Sequence, residues 1–424
     1  MKEGLFLSKS LLPKRSDYHF DRKSLTADAI AGVTVAVVAL PLALGFGITS
    51  GMSPAAGLTT AIIAGFLAAL FGGSNYQVSG PTGAMTVVLL PIIHTYGVRA
   101  IPLLGLIAGV MVMAMAILRF GVIINRVPWA VVEGFTVGIA CVIALQQLPL
   151  AFGIAKAEGD RSLVVAWRTI SNALHAQIQW QTLAVVALTL FVKFGYPPLS
   201  RKLHIRIHIP ASFIAIVFSL IVVRMFSLSV NTIGEIPRSV GTWAGGDISI
   251  ADISHLLWPA FLIALLCAIE SLLSARVADG LAHVSKEHHY SPNRELLGQG
   301  LATATSSIFG GMPATGAIAR TSVNVRARAR TRIASVIHAI VLLFVALVAA
   351  PWVSQIPAAA IAGVLLGTSY RILNPTSLRE SLRTTKSEAA VLIVTAVCTL
   401  AIDLIWGIGI GICLYFIVKK SKRA

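Results

Sequence analysis

Phe309–Arg320 reads FGGMPATGAIAR, and an earlier stretch, Tyr76–Thr86, echoes it as YQVSGPTGAMT. Pro81-Thr82-Gly83-Ala84 in the first copy answers Pro313-Ala314-Thr315-Gly316-Ala317 in the second, and each leads from a glycine-bearing extended piece into a short apolar segment. Proline followed closely by threonine and glycine suits the first turn of a helix, where a missing N–H costs nothing. Helix starts are therefore expected around Thr82, Gly83 and Ala84, and around Gly316, Ala317, Ile318 and Ala319. Their free N–H groups point forward. Two such starts facing one another make a cavity with two positive dipole ends, suited to an anion. The rest of the sequence reads as a scaffold that holds them at mid-membrane depth.

Of the 424 residues, 56% are hydrophobic and 12% charged, where a soluble chain averages about 25% charged. Such a composition excludes a soluble core and predicts an all-α polytopic membrane protein. Cys141, Cys267, Cys398 and Cys413 lie in apolar runs without metal-type pairing and read as small buried residues. The first 25 residues are polar and basic, which does not suit a cleavable signal peptide.

Fourteen apolar segments follow in chain order: about Ala29–Ile48, Pro54–Phe71, Pro81–Thr95, Ile101–Leu118, Trp129–Leu148, Thr182–Phe194 and Ile209–Phe226, then Leu256–Val277, Leu296–Ile308, Thr315–Val325, Ile333–Ala350, Ala358–Tyr370, Ala389–Leu404 and Ile405–Val418. A polar loop with an amphipathic helix around Trp167 separates spans 5 and 6, and a connection with short strands runs to Ser254. Several segments are shorter than the roughly 20 residues of a full crossing. Short, Gly/Pro-interrupted segments at matching places in two halves point to an inverted-repeat transporter and its site. Seven is odd, so the second set has the opposite topology.

The net charge of +17 tests this arrangement. With the N-terminus inside, 27 Lys/Arg fall in the tails and inner loops, four of them in the loop after span 6; six fall outside, and Arg320 within span 10 completes the 34. That bias is the positive-inside rule, and it removes nucleic acid as a partner. Arg326, Arg328, Arg330 and Arg332 are placed to touch anionic lipid heads.

Glu270, in CAIESLLSARVADGL, sits in the middle of span 8. A carboxylate at that depth is a functional candidate by default, against the alternative of a helix-packing acid. Ser271 and Ser274 flank it as oxygen ligands or as serines bonding their own helix. Arg320 faces the anion, pairs with Glu270, or snorkels to the inner surface. Thr82 and Thr315 offer hydroxyls to a ligand or cap their helices. Phe46 walls the cavity or packs in the core, and Glu133 is interfacial or part of a gate. His94, His338 and Asp403 read as structural or interfacial, and His283, His288 and His289 as a solvated loop rather than a metal cluster. No catalytic residue or metal motif appears on the spans, so no enzyme and no cofactor are expected.

AGVTVAVVALPLALGFGITSG in span 1, QVSGPTGAMTVVL at span 3, EGFTVGIA in span 5, IESLLSARVADG in span 8 and GGMPATGAIARTSVNVRA at span 10 together resemble the SulP family of sulfate and bicarbonate permeases and their animal anion-exchanger relatives. The resemblance runs from about Leu25 onward. It implies a uracil-permease-like fold: a tail 1–25, core parts 26–120 and 255–352, and gate parts 121–254 and 353–424. It also implies a substrate between the starts of spans 3 and 10, carried over to Phe46, Thr82, the backbone of Ala317–Ala319 and Arg320. A sodium-site aspartate of bacterial bicarbonate permeases corresponds to Glu270. The exchange of Asp for Glu leaves sodium and proton coupling both open, with Ser274 and Thr315 as companion oxygens. Family members commonly form homodimers and usually end in a cytoplasmic STAS domain; the likeness covers the transmembrane part without it.

The expected function is thus secondary active transport of a small anion (bicarbonate, sulfate or a dicarboxylate) across a cell inner membrane, with both termini cytoplasmic. An uncoupled channel or exchanger of the same fold needs no coupling acid. A nucleobase permease favours a neutral site with acids in spans 8 and 10, which Arg320 and the acid-free Thr315–Val325 disfavour.

Overall fold

The computed structural model describes residues 11, 13–14, 18, 20–124, 127–155, 157, 159, 162–175, 178–204, 209–245, 253–285, 288–402 and 404–421. Most of the basic N-terminal tail, Lys156, Arg161, Asp403, Lys422 and Arg423 lie outside them.

In chain order the helices are α1 (Arg22–Thr49), α2 (Pro54–Phe71), α3 (Gly83–Tyr96), α4 (Ile101–Ile117), α5 (Phe120–Ile124), α6 (Trp129–Gln146), α7 (Leu148–Phe152), α8 (Ser162–His175), α9 (Trp180–Lys202) and α10 (Ala211–Met225). They continue as α11 (Ile253–Leu281), α12 (Pro292–Ile308), α13 (Ile318–Arg326), α14 (Ile333–Phe344), α15 (Ala350–Val353), α16 (Ala358–Leu373), α17 (Pro375–Thr384), α18 (Lys386–Ala401) and α19 (Leu404–Ser421). A 3-10 turn (Val98–Ala100), a π-helical segment (Val345–Ala349) and two strands, β1 (Ser79–Gly80) and β2 (Thr315–Gly316), complete the described elements. Seven helical stretches are long and apolar enough to cross a membrane, and α3 and α10 are shorter apolar helices. The all-α polytopic expectation holds.

The chain divides into two compact units: Met1–Arg126 with Gly234–Ser354, and Val127–Ile233 with Gln355–Ala424. The described residues 234–245 lie in the first unit. There the Thr242 and Ala244 N–H groups donate to the Phe309 and Ile308 carbonyls at 3.1 and 2.9 Å.

In the first unit each helix start carries its own local reason. Ser53 caps α2 by accepting the Ala56 N–H at 3.1 Å, and Pro54 occupies the first helical position. Thr82 caps α3 by accepting the Met85 N–H at 3.4 Å. The extended pieces ahead of α3 and α13 pair as an antiparallel ribbon, Ser79 opposite Gly316 and Gly80 opposite Thr315. Neither piece alone can satisfy its backbone inside a membrane; paired, each supplies the other's hydrogen bonds.

Buried charges hold the turns around the ribbon. Glu295 of α12 accepts the Gly73 and Ser74 N–H groups at 2.8 and 2.9 Å. Asp28 of α1 accepts the Arg330 and Thr331 N–H groups at 2.6 and 3.1 Å and the Thr331 hydroxyl at 2.5 Å. Arg332 donates to the Gly72 carbonyl at 2.8 Å and to Asn75 Oδ1 at 3.1 Å, and lies over the Tyr18 ring. Arg332 is buried, which corrects its assignment to lipid heads: the open carbonyls after α2 take its donors instead.

In the second unit Lys193, counted above with the inner loop after span 6, is instead buried within α9, because α9 runs on through Pro197 and Pro198 to Lys202. Its Nζ donates to the Val364 carbonyl at 2.5 Å and to Thr368 Oγ1 at 2.7 Å, joining α9 to α16. Glu133 of α6 accepts the Ser381 hydroxyl at 2.7 Å, an anchor for the amphipathic helix α17. Of the short strands expected before Ser254, the described residues show one bridge, Thr232 opposite Pro357.

Candidate functional site

Three elements of the first unit converge on one carboxylate. Glu270 sits within the 29-residue helix α11. Its Oε2 accepts the Thr315 hydroxyl from β2 at 2.6 Å and the Thr82 hydroxyl from the cap of α3 at 2.9 Å. The two threonine oxygens lie 3.0 Å apart, so Glu270, Thr82 and Thr315 form a triangle of oxygens. Thr82 caps α3 and serves the site at once.

The spacing in CAIESLLS aims a second row of α11 side chains at the same segment. Residues three and four apart share a helix face. Cys267 Sγ accordingly donates to the Ala314 carbonyl at 3.2 Å. Ser271 Oγ accepts the Gly316 N–H at 3.0 Å. Ser274 Oγ donates to Thr321 Oγ1 at 3.1 Å. Ser274 is thereby separated from the Glu270 triangle, one turn further along.

Helix α13 starts two residues later than Gly316. Thr315 and Gly316 are held in the ribbon, and the Thr315 hydroxyl is spent on Glu270, so it does not cap. Gly316 and Ala317 precede the helix; Ala317 is its N-cap, without a side-chain bond, ahead of the first-turn residues Ile318, Ala319 and Arg320. In the first copy Gly83 and Ala84 are themselves the first helical residues.

Arg320 is 1% exposed and does not snorkel. One guanidinium nitrogen, Nη2, donates to the Pro81 carbonyl at the start of the other half-helix. The other, Nη1, has no hydrogen-bond partner, and no ion pair joins Arg320 to Glu270 among the described residues. A Cβ on Gly80, whose φ is +152°, would stand 2.5 Å from Nη1. A Cβ on Gly316 would run into Gln77 Nε2 and stand 3.1 Å from Ser271 Cα. The two ribbon glycines therefore make room for Arg320 and Gln77. Phe46 is buried on α1 outside this hydrogen-bonded group; Ser50, four residues on, reaches Met312 Sδ at 4.0 Å.

Sequence reasoning missed Gln77, which is buried with both amide atoms unpartnered, although it stands inside the quoted YQVSG stretch. It also missed Gln299, whose Nε2 donates to Ser79 Oγ at 2.5 Å and to Glu295 Oε1 at 2.9 Å. His338, expected near a span end, is fully buried on α14. Its spacing from Ser335, another residue of the buried face, was the available signal. His283, His288 and His289 are exposed, and the described residues hold no group of three or more His, Cys, Asp or Glu placed for a metal ion.

With this geometry in place, similarity to known proteins is informative. The profile of the sulfate permease family matches residues 25–395. The chain belongs to the sulfate permease family. It is 34% identical to the "Putative sulfate transporter YvdB" of Bacillus subtilis (strain 168), over 96% of this chain and 76% of that protein. It is 31% identical to the "Bicarbonate transporter BicA" of Picosynechococcus sp., over 93% of this chain and 69% of that one. Among solved structures, the transmembrane domain of a cyanobacterium bicarbonate transporter BicA superimposes with TM-score 0.82 at 29% identity, covering 92% of this chain and 98% of that domain. SLC26A9 superimposes with TM-score 0.83 at 17% identity, over 98% of this chain and 68% of that one, a likeness of fold alone. The family and these relatives are transporters, not enzymes, and the chain is a multi-pass membrane protein of that family.

Proposed function

We propose that the protein is a secondary active transporter that moves a small anion (bicarbonate, sulfate or a dicarboxylate) together with a proton. The anion lies before the starts of α3 and α13, where the amides of Gly83 and Ala84, those of Ile318–Arg320, and the Arg320 guanidinium offer N–H donors. These donors suit an oxyanion, and both helix ends favour negative charge.

The observation that carries the proton is the triangle. Its edges are 2.6, 2.9 and 3.0 Å, all hydrogen-bond distances between oxygens. Three edges need three hydrogens, and the two threonine hydroxyls supply two. With a charged Glu270 both hydroxyls must turn to the carboxylate, and the Thr82–Thr315 edge is left with lone pairs facing. A hydrogen on Oε2 closes a ring in which every oxygen donates once and accepts once, an arrangement that strengthens each bond. The charged acid repels an anion held nearby in a medium of low dielectric constant; the neutral acid does not. Anion and proton are therefore taken up together and released together.

Sodium is the competing coupling ion. It would draw on the same threonine oxygens, and Ser274, the further oxygen expected for it, is engaged by Thr321 instead. In this reading the unit carrying the site is the core and the other unit the gate of an alternating-access cycle. The fourteen spans form two inverted sets of seven, and both termini face the cytoplasm.

Uptake of a panel of labelled anions into proteoliposomes tests it. A pH gradient, acid outside, should drive uptake of at least one of bicarbonate, sulfate or a dicarboxylate. A sodium gradient at equal pH should not. Uptake driven by sodium alone would remove the proton from the scheme, and the transport of none of these anions would remove the scheme.

A further inference from the structure

Helix α8 lies between two membrane-long helical stretches of the second unit, Trp129–Phe152 and Trp180–Lys202. Its 14 residues make about 21 Å of helix, too short to cross the ~30 Å hydrocarbon layer. One face holds it to the protein: Val165, Ala166, Thr169 and Ala173 are buried, and the helix packs on α6, α7 and α18. A second face, with Arg168 and Asn172, is polar and exposed.

The third face is apolar and open. Leu163, Trp167, Ile170 and Leu174 are all exposed, Trp167 to 72% and Leu174 to 77%. Their spacing of four, three and four residues gathers them within about 60° of the helix circumference. The centres of the buried face and of the polar face each lie more than about 90° away. A helix resting on a protein in water carries polar side chains wherever it is not buried. A separate open apolar stripe has no place on such a helix, and it needs a cover of its own.

The tryptophans indicate the cover. All seven in the chain are more than half exposed, although tryptophan is on average a highly buried residue. Trp129 and Trp180 are the first residues of α6 and α9. Span ends are where tryptophan collects in a bilayer, because its ring is apolar and its N–H is wet. Trp167 is as open as Trp180, 72% against 74%, and α8 ends at His175, close before the α9 start. Trp167 thus belongs to the same interfacial level, on a helix that is not a span.

We propose that α8 lies along the headgroup boundary of the bilayer and is an interfacial anchor of the second unit. Leu163, Trp167, Ile170 and Leu174 enter the lipid, Arg168 and Asn172 face water, and the buried face stays on the protein. The occupant of the stripe is lipid, neither solvent nor a second copy of the chain. A helix of this kind sinks its apolar side roughly 5–10 Å into the headgroup and acyl boundary. Spans alone leave depth and tilt loosely set, and interfacial side chains fix them.

Spin labels test the proposal on the full chain in phosphatidylcholine vesicles, with the four native cysteines replaced. Labels are attached at Leu163→Cys, Leu174→Cys and Asn172→Cys in turn. Collisions are then measured with oxygen, which concentrates in lipid, and with a water-soluble nickel chelate. The labels on Leu163→Cys and Leu174→Cys should be relaxed strongly by oxygen and weakly by nickel, and the label on Asn172→Cys the other way round. Strong relaxation by nickel at the first two would put the stripe in water. Weak relaxation by both reagents would put protein over it, a second copy or another segment. Either result overturns the proposal. Should the cysteine-free chain fail to fold, the chain with its own cysteines decides. The difference in tryptophan emission between the parent and Trp167→Phe should shrink when the lipid carries bromine on its acyl chains; a difference that bromine leaves unchanged would overturn the anchor.

Discussion

Glu270→Gln separates coupling from binding, because glutamine keeps the shape of the acid and loses its exchangeable proton. At the corner held by Oε2 the amide presents either its oxygen, which accepts from both Thr82 and Thr315, or its nitrogen, which donates but cannot accept. Neither choice closes the ring of 2.6, 2.9 and 3.0 Å edges. With the oxygen at the corner one edge is lost, about 1 kcal/mol, and with the nitrogen, whose two hydrogens reach both hydroxyls, none need be; either is small against a typical stability of roughly 5–15 kcal/mol. The variant should therefore insert and fold. Transport is another matter. One pH unit is worth about 1.4 kcal/mol per proton, so one proton per anion sets a limiting accumulation of about tenfold. In Glu270→Gln that ratio should fall to about one, while exchange of labelled for unlabelled anion continues, since the neutral amide leaves the half-helix starts intact. Vesicles loaded one pH unit more alkaline than the bath, followed by rapid filtration, measure both. Accumulation equal to the parent's would refute the assignment of Glu270 as proton carrier. Loss of exchange together with accumulation, in correctly inserted protein, would make it a binding residue instead.

Gly316→Ala drives a methyl group into Gln77 Nε2 and against Ser271 Cα, next to Glu270; uptake should fall by about tenfold or more, and parental initial rates would show that the ribbon tolerates movement there. Asp28→Ala leaves the Arg330 and Thr331 N–H groups and the Thr331 hydroxyl without their acceptor; a thermal or denaturant melt should show a loss of about 3 kcal/mol. Lys193→Met should be close to neutral in the same melt because it fills the site without a charge, whereas Lys193→Ala should lose about 2–4 kcal/mol. In a protein freed of its four cysteines, cysteines placed at Ser285 and Lys420 should react only from the cytoplasmic side and those at Arg99 and Ser229 only from the other; the reverse pattern would invert the topology.

How much was readable in the sequence follows from how local each signal is. The ribbon and the half-helix starts were readable because proline, threonine and glycine report on backbone conformation within a few residues. Thr82, Thr315 and Glu270 meet as a group because two copies of one pattern and one intramembrane acid were each visible on their own. What stayed hidden depends on pairings between separate elements, from about 45 to more than 200 residues apart. Gly316 looked like a helical residue, and only its partner Ser79 and the Ser271 hydroxyl make it a strand residue. Ser274 looked like a neighbour of Glu270, but the rise of one turn along α11 carries it to Thr321. Arg332 looked like one of four lipid-facing arginines until the carbonyls after α2 were there to receive it. Hydropathy marked only Leu296–Ile308 of α12, whose start at Pro292 carries the buried Arg294 and Glu295 ahead of a stretch rich in Gly, Ala, Ser and Thr.

Burial of a charge within the membrane is therefore only half of a functional signal; the other half is what its hydrogen bonds do. Lys193 and Arg320 are equally buried, each about 1% exposed. Lys193 spends its donors on the Val364 carbonyl and the Thr368 hydroxyl, both one turn apart on α16. It behaves as a clamp between two helices. Arg320 places one nitrogen on Pro81 and leaves the other unpartnered, and Gln77 of the same ribbon stretch is buried with both amide atoms unpartnered. Natural proteins pair nearly all buried polar groups, so a cluster of unpaired ones around a helix start that already favours anions marks the place where a ligand completes the bonding. By that criterion Lys193 belongs to the architecture of the second unit, and the proposed anion site is sought at Arg320, Gln77 and the α13 start. The contrast extends to Glu270. Its three-edged triangle is complete with one more proton and incomplete without it, which is the property that a group carrying a proton across a membrane must have.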